Sequence, residues 1–200
     1  MITLYHAPRT RSSSIIWLLE ELAVPYRIER TPIVYGATGE GSPAPESYRR
    51  IHPHKKVPAI DHDGNIVFES AAIALYLADA FPQAGLAPPI GDKRSATYVT
   101  WLAYYAGVVG PVGLARMLGL DKEKPTTAGT FEDMEVFMVR TLEAHPYVAG
   151  DSFTAADVLV GSAVEYFKST ILPDRKVYDD YVARLQMRPA RQRAMEKDNG

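Results

Sequence analysis

The chain opens on a short β-prone run, Ile2 to His6, that Pro8 brings to an end. Apolar residues then fall at Ile15, Leu18, Leu19 and Leu22, the i, i+3, i+4, i+7 stripe of a helix. Ser12, Ser13 or Ser14 could cap its start, since a serine oxygen accepts a free first-turn N–H. Tyr26 to Val34 has strand character, and strand, helix, strand in this order predicts a βαβ unit with parallel strands. A Gly-, Pro- and Ser-rich loop over 35–47 and a single helical turn near Glu46 to Ile51 come next. Strand character returns at 57–61 and 65–68, split by Asp63-Gly64, a pair that tolerates positive φ and suits a tight antiparallel hairpin. A helix over Ala71 to Phe81 ends at Pro82. The order βαβ then ββα predicts an α/β domain with a mixed four-stranded sheet.

The pattern changes at residues 82–91, FPQAGLAPPIG with its flanking Phe81, where Pro and Gly dominate as in a linker. Beyond it the periodicity is helical throughout. Asp92 is a candidate cap for a helix carrying Tyr98, Leu102, Tyr105 and Val109, which GVVGPVG (107–113) should kink or break. After the polar loop DKEKPTTAG, Met134, Phe137, Met138, Thr141 and Leu142 mark a second helix. Tyr178, Tyr181, Val182 and Leu185 mark a later one, closed by Pro189. Between them Thr154 and Asp157 have capping-box spacing, with Phe153 placed to staple onto Val158. That helix is apolar on several sides and belongs at the centre of an all-α domain. The expected division is 1–81, a linker at 82–91, and 92–200.

Composition narrows the function. The 200 residues are 46% hydrophobic, so the chain can build an ordinary core. Charge is nearly balanced, 22 basic against 24 acidic residues without blocks, so neither nucleic acid nor an anionic membrane is implied as a partner. Cysteine is absent, which excludes a disulfide scaffold, a thiolate metal site and a cysteine nucleophile. No signal-peptide layout and no spanning apolar run is read, so a soluble, cytoplasmic protein is expected, with no metal.

Three short stretches could carry chemistry. Lys56-Val57-Pro58 starts a strand, and Pro58, unable to donate to a ladder, fits that place. If Pro58 is cis, the Val57 backbone would face outward and could pair with an extended peptide. Glu69-Ser70 reads equally as plain helix capping or as a site for an α-amino acid head. In the second reading the helix N–H groups and the Ser70 hydroxyl hold a carboxylate while Glu69 accepts from an ammonium. PRTRSSS (8–14) places hydroxyls and N–H groups at a strand-to-helix turn, where α/β sheets bind ligands and an anion, including a thiolate, is stabilised.

On these residues the chain resembles the cytosolic glutathione S-transferases. The resemblance rests on TLYHAPRTRSSSIIWLLEELAVPY, IHPHKKVPAI with DGNIVFESAAIALYLADAFP, and GDSFTAADV, in a bacterial-type, cysteine-free sequence. It implies a thioredoxin-like N-terminal domain, an all-helical C-terminal domain and a homodimer. Glutathione would be the co-substrate, with its γ-glutamyl head at Glu69 and Ser70 and its cysteinyl backbone paired with Val57. Pro58 would be the family's cis-proline, and Lys56 would reach a peptide carboxylate. The sulfur would lie near Thr10 to Ser12, where a donated hydroxyl proton lowers the thiol pKa and makes a nucleophile. Thr10 and Ser12 are both candidates for that hydroxyl, with Tyr5 a third. A small hydrophobic electrophile would bind between the domains, beside Tyr105 and Arg116, on a helix made aromatic by Tyr98, Trp101 and Tyr104. Relatives usually carry arginine where Ser14 stands, and the pattern NPxGKVP has become His52-Pro53-His54-Lys55-Lys56-Val57-Pro58. Isomerase, peroxidase or dehalogenase chemistry, or a non-catalytic binding module, are the alternatives.

Overall fold

The structure, a computed structural model, describes residues 1–33, 42–122 and 130–199. Most of the expected loop over 35–47 and the end of the polar loop at 121–129 lie outside the described residues. The chain divides into two compact units, Met1–Leu77 with Pro189–Gly200, and Ala78–Arg188. The sequence expectation differs at the C-terminal end, where it assigned everything beyond residue 92 to one helical domain.

The first unit contains β1 (Ile2–His6), α1 (Ser12–Leu22), β2 (Tyr26–Arg30), β3 (Ala59–His62), β4 (Asn65–Phe68) and α2 (Ser70–Ala80), which runs three residues past its boundary. One sheet in the order β2-β1-β3-β4 joins the strands. β1 is parallel to β2 and antiparallel to β3, and β3 is antiparallel to β4. This is the thioredoxin-like mixed sheet that the βαβ–ββα pattern predicts. All five residues of β1 are buried, as a central strand requires. The β3–β4 hairpin turns on Asp63 (φ 51°) and Gly64 (φ 89°), the two positive φ angles that a two-residue turn of this hand demands.

Two details of α1 differ from expectation. Its N-cap position is Arg11, in helical conformation and without a side-chain cap. Ser13 and Ser14 donate rather than accept: Ser14 Oγ donates to the Arg11 carbonyl (2.8 Å), and Ser13 Oγ to Asp198 (2.5 Å). Tyr26 to Val34 is strand only to Arg30, and Val34 lies outside the described residues.

The second unit contains α3 (Arg94–Tyr104), α4 (Gly110–Met117), α5 (Phe131–Ala144), α6 (Ala155–Lys168) and α7 (Lys176–Gln186). The N-cap position of α3 is Lys93 rather than the expected Asp92, without a side-chain cap, while Asp92 Oδ1 one residue earlier accepts the Arg94 N–H (2.9 Å). Gly and Pro at 107–113 do not break the chain's helical course. A π-helical stretch, Tyr105–Val109, joins α3 to α4 and brings Pro111 into the first turn of α4, where no N–H is needed. On α6 every residue from Ala155 to Gly161 is buried, which places this helix at the centre of its unit. Trp101 of α3 stacks on Phe137 of α5 with centroids 5.0 Å apart. Among the described residues, no helix is long and apolar enough to cross a membrane.

Gly113 on α4 lies under the ring of Phe167 on α6, and a Cβ there would fall 2.3 Å from Cζ. A planar ring in a packed interior cannot yield that far without moving backbone. Gly113→Ala is expected to cost about 1–3 kcal/mol, read as a lower urea midpoint at unchanged slope.

Past α7 the chain makes one more helix, α8 (Pro189–Asn199), in the first unit. Pro189 closes α7 as expected and also begins this helix, because the first helical position has no use for the missing N–H. α8 packs on α1. Alongside the buried Ala190 and Ala194 it makes polar contacts: Glu20 of α1 accepts from Arg193 Nε (2.7 Å) and pairs with Lys197, while Tyr26 donates to Glu20 at 2.6 Å. Arg30 of β2 donates to the carbonyls of Lys197 and Asp198 at the end of α8.

Candidate functional site

The strand register gathers the predicted residues at one end of the sheet. Tyr5 of β1 lies opposite Ala59 of β3, which lies opposite Phe68 of β4. The turn after β1, the segment before β3 and the start of α2 therefore emerge side by side. Thr10 and Ser12, Lys56 to Pro58, and Glu69-Ser70 occupy these three segments.

In the β1–α1 turn, Ser12 is fully buried (0% exposed), whereas Thr10 is half-buried. Ser12 Oγ lies 2.7 Å from His6 Nδ1 and 2.7 Å from Thr10 Oγ1, and accepts the Ala7 N–H at 3.2 Å. Thr10 Oγ1 accepts the Ser12 N–H (3.2 Å) and donates to the Ala7 carbonyl (2.8 Å). On the other side of the imidazole, His6 Nε2 lies 3.3 Å from Asp198 Oδ1, in ion-pair range but without hydrogen-bond geometry. Burial holds His6 below its ordinary pKa, and the Asp198 carboxylate works against that. The same carboxylate accepts from Ser13 and from the Arg9 N–H (3.2 Å). Arg9 takes a left-handed φ of 56°, which turns its N–H toward α8.

Tyr5 points elsewhere. Side chains alternate along a strand, so it takes the face opposite His6. Its ring meets Tyr48 edge-on at 5.6 Å, and it lines a cavity of about 140 Å³ with Glu29, Arg30, Thr31 and Arg50 that includes neither Thr10 nor Ser12. Burial, and then the Glu29 charge, raise its pKa and keep the phenol protonated.

The Val57–Pro58 peptide bond is cis, and both residues are buried just before β3 begins. Lys56 is exposed, and its carbonyl accepts from Tyr48 Oη at 3.2 Å. At the start of α2 the reading of Ser70 as a cap is corrected. The Glu69 carbonyl accepts the Ile73 N–H (2.9 Å), so Glu69 holds the N-cap position and Ser70 is the first helical residue. The N–H groups of residues 70, 71 and 72 consequently have no intrahelical acceptor. Glu69 is exposed and sits at φ 69°, a left-handed conformation that strains a residue with a Cβ. An acidic side chain, a hydroxyl and free N–H groups thus converge at one helix N-terminus.

In the second unit, Tyr105 is buried in the π-helical stretch and Arg116 is engaged by its own unit. Arg116 pairs with Asp121 and Glu132, and its guanidinium lies 4.1 Å from the Phe131 ring centroid. Sequence reasoning missed His6 and Asp198. His6 left one trace, a polar residue closing an apolar strand, while Asp198 left none.

The glutathione S-transferase N-terminal domain matches residues 1–79. Over those residues the chain is similar to the glutathione S-transferases. It is 28% identical to glutathione S-transferase 3 of Schizosaccharomyces pombe over 177 residues, 78% of this chain and 70% of that protein. The crystal structure of a glutathione transferase from Methylococcus capsulatus is 26% identical, with a TM-score of 0.74 over 100% of this chain and 99% of that one. A sphingomonad glutathione S-transferase complexed with glutathione shares the fold at 20% identity and a TM-score of 0.77, over 98% of each chain.

Proposed function

We propose that the protein binds glutathione at the shared sheet end of its first unit and activates the thiol for attack on a small hydrophobic electrophile. The observation that carries this reading is Glu69, exposed and held left-handed at the N-terminus of α2, beside the free N–H groups of the first turn. The match of residues 1–79 to the glutathione S-transferase N-terminal domain and the glutathione bound to the similar sphingomonad protein support it. Glu69 would accept from the ligand's ammonium, while Ser70 and the first-turn N–H groups hold its α-carboxylate. The Val57 backbone would pair with the cysteinyl residue beside Pro58, and Lys56 would meet the glycyl carboxylate. Thr10 would donate to the sulfur, being half-buried where Ser12 is sealed. Only a donor that reaches the thiolate better than the thiol lowers its pKa. A homodimer working in the cytoplasm on electrophile detoxification completes the reading.

Calorimetric titration with glutathione tests it. Binding is expected in the parent, and Glu69→Ala should weaken it roughly ten- to hundredfold, the scale of a hydrogen bond to a charged group. A folded parent that takes up no glutathione would end the proposal. Conjugation of a generic aryl halide, against none, separates a transferase from a binding module.

A further inference from the structure

The chain of side chains behind Thr10 is longer than thiol stabilisation requires. Ser12 and His6 are both fully buried at 0% exposure, whereas Thr10 is half-buried, so water reaches this chain at its Thr10 end. Its two inner contacts, Thr10 Oγ1 to Ser12 Oγ and Ser12 Oγ to His6 Nδ1, are both 2.7 Å. We propose that Thr10, Ser12 and His6 form a proton relay that carries the glutathione thiol proton inward to His6 Nδ1, with Asp198 of α8 holding the imidazole from the far side. This rests on the glutathione reading above. His6, Ser12 and Asp198 would act through Thr10 and are positioning residues.

Proton accounting sets the direction. The Ala7 N–H occupies one lone pair of Ser12 Oγ. Asp198 Oδ1, 3.3 Å from Nε2, favours a proton on that nitrogen, since two lone pairs facing each other would repel. Neutral His6 then presents a bare Nδ1, and Ser12 must donate to it. The remaining lone pair of Ser12 faces Thr10 Oγ1, and Thr10 donates into it once its proton rotates off the Ala7 carbonyl, which both hydroxyls reach, Thr10 at 2.8 Å and Ser12 at 3.1 Å. Each hydroxyl therefore donates inward, and Thr10 Oγ1 faces the solvent side as an acceptor for a thiol S–H.

When the thiol ionises, every proton moves one place. The S–H bond breaks and its proton joins Thr10 Oγ1, the Thr10 proton passes to Ser12 Oγ, and the Ser12 proton passes to His6 Nδ1. The products are a thiolate accepting from Thr10 and an imidazolium beside Asp198, with no proton lost and no other reactant. The shift also reverses the hydroxyls so that both now donate toward the sulfur, which is the arrangement a thiolate needs. The charged groups facing His6 are Asp198 from α8, which favours the imidazolium, and Arg30 from β2, which opposes it. Burial leaves His6 neutral beforehand and so able to accept. A buried histidine oriented by a carboxylate and touching a hydroxyl has the logic of an activated nucleophile, displaced here by one hydroxyl.

Nitrogen NMR of labelled parent protein reads the relay directly. On saturation with glutathione the His6 ring should change from neutral to imidazolium as the ultraviolet thiolate band appears. S-methylglutathione, which has no ionisable proton, should leave it neutral. His6→Gln keeps an acceptor for Ser12 but cannot take the proton, and should cut the bound thiolate at neutral pH about tenfold with glutathione affinity kept. A thiolate that forms while His6 stays neutral overturns the relay and leaves the binding reading intact. So does unchanged ionisation in His6→Gln. Absence of glutathione binding overturns both.

Discussion

Asp157→Ala is expected to lower the unfolding free energy by about 3–5 kcal/mol, the largest stability loss from any single side chain considered. Asp157 is fully buried at the start of α6, and its carboxylate accepts from four donors. These are the Val148 N–H (2.8 Å), the Thr154 N–H (2.9 Å), the Thr154 hydroxyl (3.0 Å) and the Tyr181 hydroxyl (2.9 Å). Burial pushes its pKa up, and all four bonds push it back. The cost of alanine comes less from the bonds removed than from the donors left behind. Each buried, unpaired N–H or hydroxyl costs about 1–3 kcal/mol. Asp157→Asn keeps one good acceptor oxygen and should lose markedly less. Calorimetry should show a midpoint about 10 °C lower for alanine. A fall of only a degree or two would mean that the capping box is not what ties α6 to α7 and the loop before it.

This bond set also shows why some of the fold was legible in the sequence. Thr154 and Asp157 are three residues apart, so the spacing alone announces the box, and the apolar turns after it announce a central helix. Asp63-Gly64 announced its hairpin just as locally. Where the cause was not local, the reading failed. Pro189 does close α7, but at the first position of the next helix it also starts α8, which a reading of proline as a stop does not announce. The eleven residues of α8 contain few large apolar side chains, and no stripe betrays what they cover. Gly107 to Gly113 reads as a kink or a break, and the form the interruption takes, a wider π turn that carries the helix past Pro111, is not visible in the residue pattern. At the candidate site, Val57-Pro58 and Glu69-Ser70 were legible because strand starts and helix starts are short-range features. The difference in burial between Thr10 and Ser12 was not, since it arises in the folded turn, where Ser12 meets His6 and Asp198 comes from the other end of the chain.

Acid should release α8 before it unfolds the rest of the first unit. Burial opposes a charge on Glu20, but hydrogen bonds from Lys197, Tyr26 and Arg193 outweigh it and hold the carboxyl at about 2, against an ordinary 4.5. A carboxyl held low in the folded state binds protons more readily when unfolded. Its contribution is therefore complete above 4.5 and is lost as pH falls from there toward 2. That gap corresponds to about 3 kcal/mol, and the half-exposed side chains of Arg193 and Lys197 reduce it to about 2. Hydrogen exchange of α8 amides, followed against pH, should accelerate across this window in the parent. Glu20→Gln should exchange fast at every pH, with the acid dependence gone. If α8 stays protected at pH 3 in the parent, apolar contact rather than Glu20 fixes it. Release would also withdraw Asp198 from His6, because both Asp198 and the two cations that bind Glu20 ride on the same helix. The bound thiol of Glu20→Gln should then ionise less readily, although Glu20 touches none of the residues behind Thr10 in the proton chain.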